Sequence, residues 1–357
     1  MNPTTRPTPA IRPSSGSPAQ RLRDLLRSRK RLLVMTHKNP DPDSLGGALG
    51  LQEFARLAAG IDSRLAISGK ILRAENQAMV RELGMQMDRL DQTKITDFDC
   101  FALVDTQPGF GHTPIPAGIQ VDIVIDHHVC ADAKCGPDDV AYFDVRPDIG
   151  ATSSIVANLL LEANLVPSAQ AATALAYGIR TDTADLSRNV SELDLRAFEF
   201  LSPFVDRQKL AAITNPRLPL AYFRTLKDAL SKVRFFDGVA LCSLGRTTSA
   251  EMVAELADLL LRAEGTRAVF CGGLVGQSYY VSVRTEVGLD AWSFLRAGIE
   301  GENGSCGGHG SVAGGSITVE SADSRTLRRL ERRLERNVLR AMGVSGGNAM
   351  VLGDVDD

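Results

Sequence analysis

Short, unbroken apolar runs alternate along the first half of the chain with segments of helical period, and the runs tend to stop at an acid or a histidine. Residues 31–36 (RLLVMT), 100–105 (CFALVD) and 122–126 (DIVID) are such runs, and continuous apolarity of this length is what a strand buried on both faces of a parallel sheet requires. Between them, residues 18–29 place Leu22, Leu25 and Leu26 on one face. A second helix, entered at Ser44, carries Leu45, Leu49 and Phe54 on its apolar face, with Gly46 and Gly47 allowing close approach. Helical period also covers residues 76–90, 152–163, 171–180 and 191–201. Strands alternating with helices predict an α/β domain with a mainly parallel sheet.

The pattern loosens over residues 202–219, with prolines at 203, 216 and 219. Beyond it the sequence predicts a helix (221–232), a strand (238–244), a helix (249–263) and two strands (268–275, 278–284) joined at Gly276-Gln277. A glycine-rich stretch (301–315) precedes a strongly basic helix over 324–341. The expected organisation is a disordered leader (1–19), a catalytic α/β domain (20–202), a linker (203–220), a smaller α/β substrate-binding domain (221–343) and a flexible tail (344–357).

At 357 residues and 44% hydrophobic content the chain can bury two cores. A formal charge of −3 leaves no global basic footprint, which argues against a protein coating long duplex nucleic acid but not against one holding a small anion with local cations. The six cysteines lack the density of a disulfide scaffold, and Cys130 and Cys135 do not form a CxxC pair. No apolar run approaches the roughly 18 residues of a membrane span. The leader, rich in Pro, Ser, Thr and Arg, has no apolar core of a secretory signal, so a reducing cytoplasm is the expected setting.

The chemistry concentrates where strands end. In His37-Lys38-Asn39-Pro40-Asp41-Pro42-Asp43, alternate residues of a loop after a strand can face one side, and imidazole with carboxylates suits Mn²⁺, Mg²⁺ or Co²⁺. The same residues would equally serve as a polar turn with a helix N-cap. Asp105 ends the next run and, alone, is ordinary. Asp126-His127-His128 is more telling, because ionisable side chains directly after IVI are costly unless coordinated, hydrogen-bonded or wet. His127 is the candidate ligand there, with Asp126 orienting it. Asp182, between Thr181 and Thr183, is a further candidate, with Asp185 as a rival and a helix cap as the alternative. In the second half, Gly307, Gly308 and Gly310 would leave backbone N–H groups open to an anion around His309, while Arg284 ends the strand YVSVR with a guanidinium suited to bidentate phosphate contact.

Taken together, HKNPDPDSLGGALGL, ALVDTQ, VIDHHV, GIRTDTADL and CGGHGSVAGGSI resemble the DHH phosphoesterases with a DHHA1 C-terminal domain, in the branch of nano-RNases, pAp phosphatases and cyclic-di-AMP phosphodiesterases. The resemblance runs from about Leu22 to Val319. It implies two divalent metal ions, with manganese expected: one on His37, Asp41 and Asp105, the other on Asp43, Asp105, His127 and Asp182, so that Asp105 bridges. It places His128 beside the scissile phosphate, and His128 and Asp126 are the catalytic candidates. Arg284, Gly307, Gly308 and His309 would grip a terminal phosphate, with the active site in an inter-domain cleft. Three departures stand out: Pro42 where the family more often has Gly or Ala, Ala184-Asp185 after Thr183, and Cys306 in place of a glycine. The implied activity is hydrolysis of short 5′-phosphorylated oligonucleotides or dinucleotides, including nano-RNA, pApA and cyclic-di-AMP, with pAp as a further substrate. The family's DHH half often pairs, which makes a homodimer an expectation; no membrane partner is expected. Two other readings are an inorganic pyrophosphatase or exopolyphosphatase and a catalytically inactive nucleic-acid-binding scaffold.

Overall fold

The computed structural model describes residues 16–71, 73–129, 140–247, 249–344 and 349–352, so most of the leader and both Cys130 and Cys135 lie outside the described residues. The chain divides into two compact units, one ending at Pro216 and one beginning at Arg217.

In the first unit, α1 (Pro18–Arg27), β1 (Arg31–Met35), α2 (Pro42–Ala59), β2 (Asp62–Ile67), α3 (Ala74–Glu82), β3 (Met87–Arg89), β4 (Cys100–Val104), β5 (Ile123–Asp126) and β6 (Tyr142–Val145) are followed by α4 (Thr152–Glu162), α5 (Ala169–Asp182), α6 (Glu192–Leu201) and α7 (Arg207–Thr214). The six strands form one parallel sheet in the order β3-β2-β1-β4-β5-β6. The chain therefore moves outward from β1 in one direction, then returns to its other side at β4. A sheet of this order has its ligand crevice where the direction reverses, beyond the carboxyl ends of the strands. That point lies between β1 and β4.

Along β1 the side chains alternate between two cores. Leu32 and Val34 join the helices α1, α2, α4 and α5, whereas Leu33 and Met35 join Phe101, Leu103 and Val124 on the opposite face. These four residues are fully buried, each burial contributing about 1.5–3 kcal/mol. The second face is covered by turns and short 3₁₀ segments at Leu90–Gln92 and Ile95–Asp97. The close approach expected at Gly46 is real: a Cβ there would sit 2.6 Å from the Ala174 carbonyl oxygen of α5.

Several expected boundaries move. Helix α1 starts at Pro18, capped by Ser17, and Ala19 is buried, so an ordered element begins inside the stretch read as leader. Residues 76–90 do not form one helix: α3 ends before Gly84, which takes a left-handed φ of 60°, and residues 87–89 become the sheet-edge strand β3. The stretch read as linker contains α7, capped by Asp206, whose Ile213 is buried in the first unit's core.

The second unit comprises α8 (Leu220–Leu230), β7 (Arg234–Phe236), β8 (Val239–Arg246), α9 (Glu251–Leu260), β9 (Ala268–Val275), β10 (Ser278–Thr285), α10 (Ala291–Gly298), β11 (Gly304–His309), β12 (Val312–Thr318), α11 (Ser324–Ala341) and β13 (Met350–Val351). Its seven-stranded sheet has the order β11-β12-β10-β9-β8-β7-β13, with only β8 and β9 parallel. Helices α8 and α9 cover one face and α10 and α11 the other. The glycine-rich stretch is a β-hairpin, because pairing with β12 and β10 overrides the weak strand preference of glycine. The tail also contributes a strand, Met350–Val351 pairing with β7.

Candidate functional site

Five segments bring their polar side chains to the carboxyl end of the first unit's sheet. His37 and Asp41 leave β1, Asp105 leaves β4, Asp126, His127 and His128 leave β5, Asp43 stands in the first turn of α2, and Asp182 closes α5. Three groups of ligand-type atoms, each within 4.8 Å of one another, overlap here: His37, Asp41 and Asp105; Asp105, His127 and His128; and Asp43, His127 and Asp182. The His37 Nε2 atom is 3.6 Å from Asp105 Oδ2 and 3.9 Å from Asp41 Oδ1. The His127 Nε2 atom is 3.4 Å from Asp182 Oδ2, 3.7 Å from Asp105 Oδ1 and 4.0 Å from Asp43 Oδ2. The two Asp105 oxygens thus face different histidines.

Asp41, Asp43 and Asp105 are held from behind. Asp43 accepts hydrogen bonds from the backbone N–H groups of Thr152 (2.7 Å) and Ser153 (2.8 Å) at the start of α4, where the helix dipole favours an anion. Asp105 accepts from Ser44 Oγ (2.6 Å) and Thr152 Oγ1 (2.8 Å). Asp41 caps α2 by accepting from the Ser44 N–H at 2.9 Å, with Pro42 as the first helical residue. The N-cap and the ligand-type cluster are therefore both present, and Pro42 fits the loop. Asp105 itself takes a left-handed φ of 61°, a conformation costing a non-glycine residue about 1–3 kcal/mol. The buried strand residues behind it outweigh that cost.

His127 is oriented differently from expectation. Its Nδ1 lies 3.1 Å from the Ile149 carbonyl oxygen, which fixes the ring so that Nε2 faces the acids. Asp126 instead bonds the His128 Nδ1 (2.8 Å) and the His127 backbone N–H (2.8 Å), and is itself steadied by Gln107 Nε2 at 2.7 Å. The carboxylate next to His127 in sequence thus orients its neighbour. Asp185, the rival to Asp182, turns away into a 2.6 Å pair with Arg180.

The charge balance of the cluster asks for cations. Burial, then the charges of Asp105 and Asp182, push Asp43 well above the usual carboxylate range. Burial also lifts Asp182 to about 6, against the pull of His127. For His37, burial disfavours the imidazolium, but Asp105 and Asp41 overcome it and raise the pKa to about 11. Asp182 and Asp43 do the same for His127, to about 10, again against burial. His128 is raised by Asp126 and Asp105 despite burial. Two further facts fit a divalent ion: His127 Nε2 is buried without a hydrogen-bond partner, and Asp182 puts a carboxylate at a helix C-terminus, where the dipole disfavours an anion unless a cation compensates.

The second-half candidates form a separate group within the second unit. Arg284 pairs with Val312 across β10 and β12, and Val312 with His309 across β12 and β11, so Arg284 and His309 occupy one row of the sheet. Gly307 and Gly308 lie in the same edge strand, paired with Gly314 and Ala313 of β12, rather than in a separate turn of open N–H groups. The Arg284 guanidinium is buried and already engaged: Nε with the Asp258 carboxylate, Nη1 with Ser282 Oγ (2.8 Å) and the Val283 carbonyl (3.1 Å).

Sequence reading missed Ser44, Thr152, Ser153 and Gln107, which hold the acids, and Phe110 and His112, which flank the histidines. For most of these no local signal exists. The composition did hold one clue: the chain has five histidines, and His112 joins His37, His127 and His128 at this strand end.

Residues 31–179 match the DHH family, N-terminal domain, and residues 237–336 match the DHHA1 domain. The uncharacterized protein MJ1633 of Methanocaldococcus jannaschii is 33% identical over 320 residues, covering 88% of this chain and 64% of that protein. The cyclic-di-AMP phosphodiesterase GdpP of Bacillus subtilis is 24% identical over 70% of this chain and 40% of its own. A probable manganese-dependent inorganic pyrophosphatase of Bacillus licheniformis is 27% identical over 37% of this chain and 41% of its own. The chain therefore spans less than two thirds of the length of these relatives. Among solved structures, an exopolyphosphatase-related protein from Bacteroides fragilis aligns with a TM-score of 0.70 at 16% identity, over 91% of this chain and 97% of its own. RecJ in complex with Mn²⁺ from Thermus thermophilus aligns with a TM-score of 0.51, also at 16% identity, over 93% of this chain and 56% of its own. At such identities these likenesses show the fold.

Proposed function

The chain belongs to the DHH/DHHA1 family of phosphoesterases, and from that premise we propose that it is a divalent-metal-dependent phosphodiesterase acting on short 5′-phosphorylated oligonucleotides or dinucleotides. The observation that carries this reading is the overlap of the three ligand groups on Asp105 and His127, with the His127 Nε2 atom buried and unpartnered. His37, Asp41 and Asp105 would hold one ion, and Asp43, Asp105, His127 and Asp182 the other. Two divalent ions there, manganese by analogy with the pyrophosphatase relative and RecJ, would polarise the phosphoryl group and activate water for in-line attack.

The residues around the ions do the positioning. His128 is held through Nδ1 by Asp126, while its Nε2 has no protein partner among the described residues. It is placed to donate a proton or a hydrogen bond to the substrate phosphate. Arg284, Gly307, Gly308 and His309 are proposed to hold a terminal phosphate. The choice of a nucleotide substrate over inorganic pyrophosphate is supported by the DHHA1 domain and by the likeness to GdpP across most of this chain.

The test is a substrate panel: metal-stripped protein, reconstituted with Mn²⁺ or Ca²⁺, incubated with pApA, longer 5′-phosphorylated RNA, cyclic-di-AMP, pAp and inorganic pyrophosphate, with products resolved by chromatography. Manganese-dependent cleavage of pApA or short RNA is expected. Faster turnover of pyrophosphate than of any nucleotide would assign the chain to the pyrophosphatases, and no turnover of anything would favour an inactive scaffold.

A further inference from the structure

The loop leaving β4 places an apolar ring at the edge of the charged cluster. Phe110 is half-buried, yet it packs into none of the four hydrophobic clusters. The rings it meets are His112, 5.5 Å away at 32°, and His128, 6.3 Å away and perpendicular. His112 in turn lies 5.7 Å from the His37 ring. Its ring is thus set against the imidazoles of the candidate site rather than in the core.

The loop is braced at both ends. The Thr106 and Thr113 hydroxyls are hydrogen-bonded to each other, and Thr113 Oγ1 donates to the Gln107 carbonyl at 2.9 Å. Gln107 Nε2 donates to Asp126 and to the His128 carbonyl (2.8 Å). The His112 carbonyl accepts from the Lys38 N–H at 2.9 Å, tying this loop to the one that carries His37 and Asp41. Gly109, at a φ of 96°, makes the turn that brings Phe110 back toward the cluster. A ring fixed this way has little freedom left to lose on contact with a ligand.

We propose that Phe110, with His112 beside it, is a stacking platform for a nucleobase of the substrate. The inference rests on the reading of the site as a phosphodiesterase for nucleotides, and it deepens that reading: one nucleotide would set its phosphate at the carboxylate cluster and its base on the Phe110 ring. Every base offers a π-face, so the platform selects for the presence of a base rather than its identity. Inorganic pyrophosphate and polyphosphate, having no ring, gain nothing from it.

The experiment is isothermal titration of the metal-loaded full chain with a 5′-phosphorylated dinucleotide whose linkage is a hydrolysis-resistant phosphorothioate, and with the doubly abasic analogue. Wild type should bind the intact dinucleotide about tenfold or more tightly than the abasic one. Phe110→Ala should bring the two within about twofold, and Phe110→Trp should keep the preference. Manganese affinity, measured in the same titration series, should be unchanged in all three proteins. Phe110→Leu, which keeps the bulk but not the π-face, serves the same comparison if the alanine variant folds poorly. Base-blind binding by wild type, or a preference that survives in Phe110→Ala and Phe110→Leu, overturns the platform. Hydrolysis of the unmodified dinucleotide together with base-blind binding of the analogue would sink the platform alone; base-selective binding of the analogue by a protein that leaves the unmodified dinucleotide intact would support the platform and sink the phosphodiesterase reading.

Discussion

The two candidate regions differ in how completely their polar groups are satisfied. In the first unit the acids are pinned from behind by Ser44, Thr152 and Ser153, yet their front oxygens and the His127 Nε2 atom face one another at 3.4–4.0 Å, too far for hydrogen bonds. In the second unit the Arg284 guanidinium already has Asp258, Ser282 and a backbone carbonyl. A site with groups left over is built to receive something. A site whose donors are occupied must give up a partner first, and half-exposed Asp258 is the one that can be released to water.

The strongest break of this contrast is Asp105→Ala. It removes oxygens from two ligand groups and the acceptor of Ser44 and Thr152, so manganese content measured by elemental analysis should fall. Hydrolysis should drop by more than the roughly 100-fold that loss of an orienting partner costs. Near-normal rates and metal content in this variant would end the assignment. Asp126→Ala comes next: it frees His128 but takes no atom from the proposed ligand set, so rates should fall about 10–100-fold with metal content retained.

What the sequence made legible follows from the same architecture. The strands β1, β4 and β5 are buried on both faces, so they read as unbroken apolar runs, and the residues at their ends stood out by contrast. Strand β2, DSRLAI, and strand β6, YFDV, carry polar side chains and lack that contrast. The groups that hold the acids are harder still: Thr152 and Asp105 meet across 47 positions of chain. Asp126 misled for a related reason, because adjacency to His127 in sequence says nothing about which ring its carboxylate reaches.

In the second unit, Arg284→Ala should lower kcat/KM for a 5′-phosphorylated dinucleotide on the order of tenfold, the value of a charge-assisted hydrogen bond. A small activated diester without a terminal phosphate should be far less affected. Asp258→Ala sharpens the comparison: with its guanidinium released, Arg284 should hold the dinucleotide at a lower KM, and an unchanged KM would mean the pair serves the fold. The smallest effect belongs to Asp185→Ala. Its exposed pair with Arg180 lies outside the cluster, so stability should move by no more than about 0.5 kcal/mol in a denaturant titration and turnover should hold.

The left-handed backbone at Asp105 sets folding and turnover against each other at one position. Glycine would adopt that φ without the steric cost and thin a neighbourhood of carboxylates, but it would leave the buried Ser44 and Thr152 hydroxyls without their acceptor. Asparagine tolerates that φ and keeps polar atoms for both hydroxyls while shedding the charge, so a library screened for heat resistance alone should enrich asparagine at position 105 and yield sturdier, inert proteins. The aspartate is a residue that only a population selected for activity would keep.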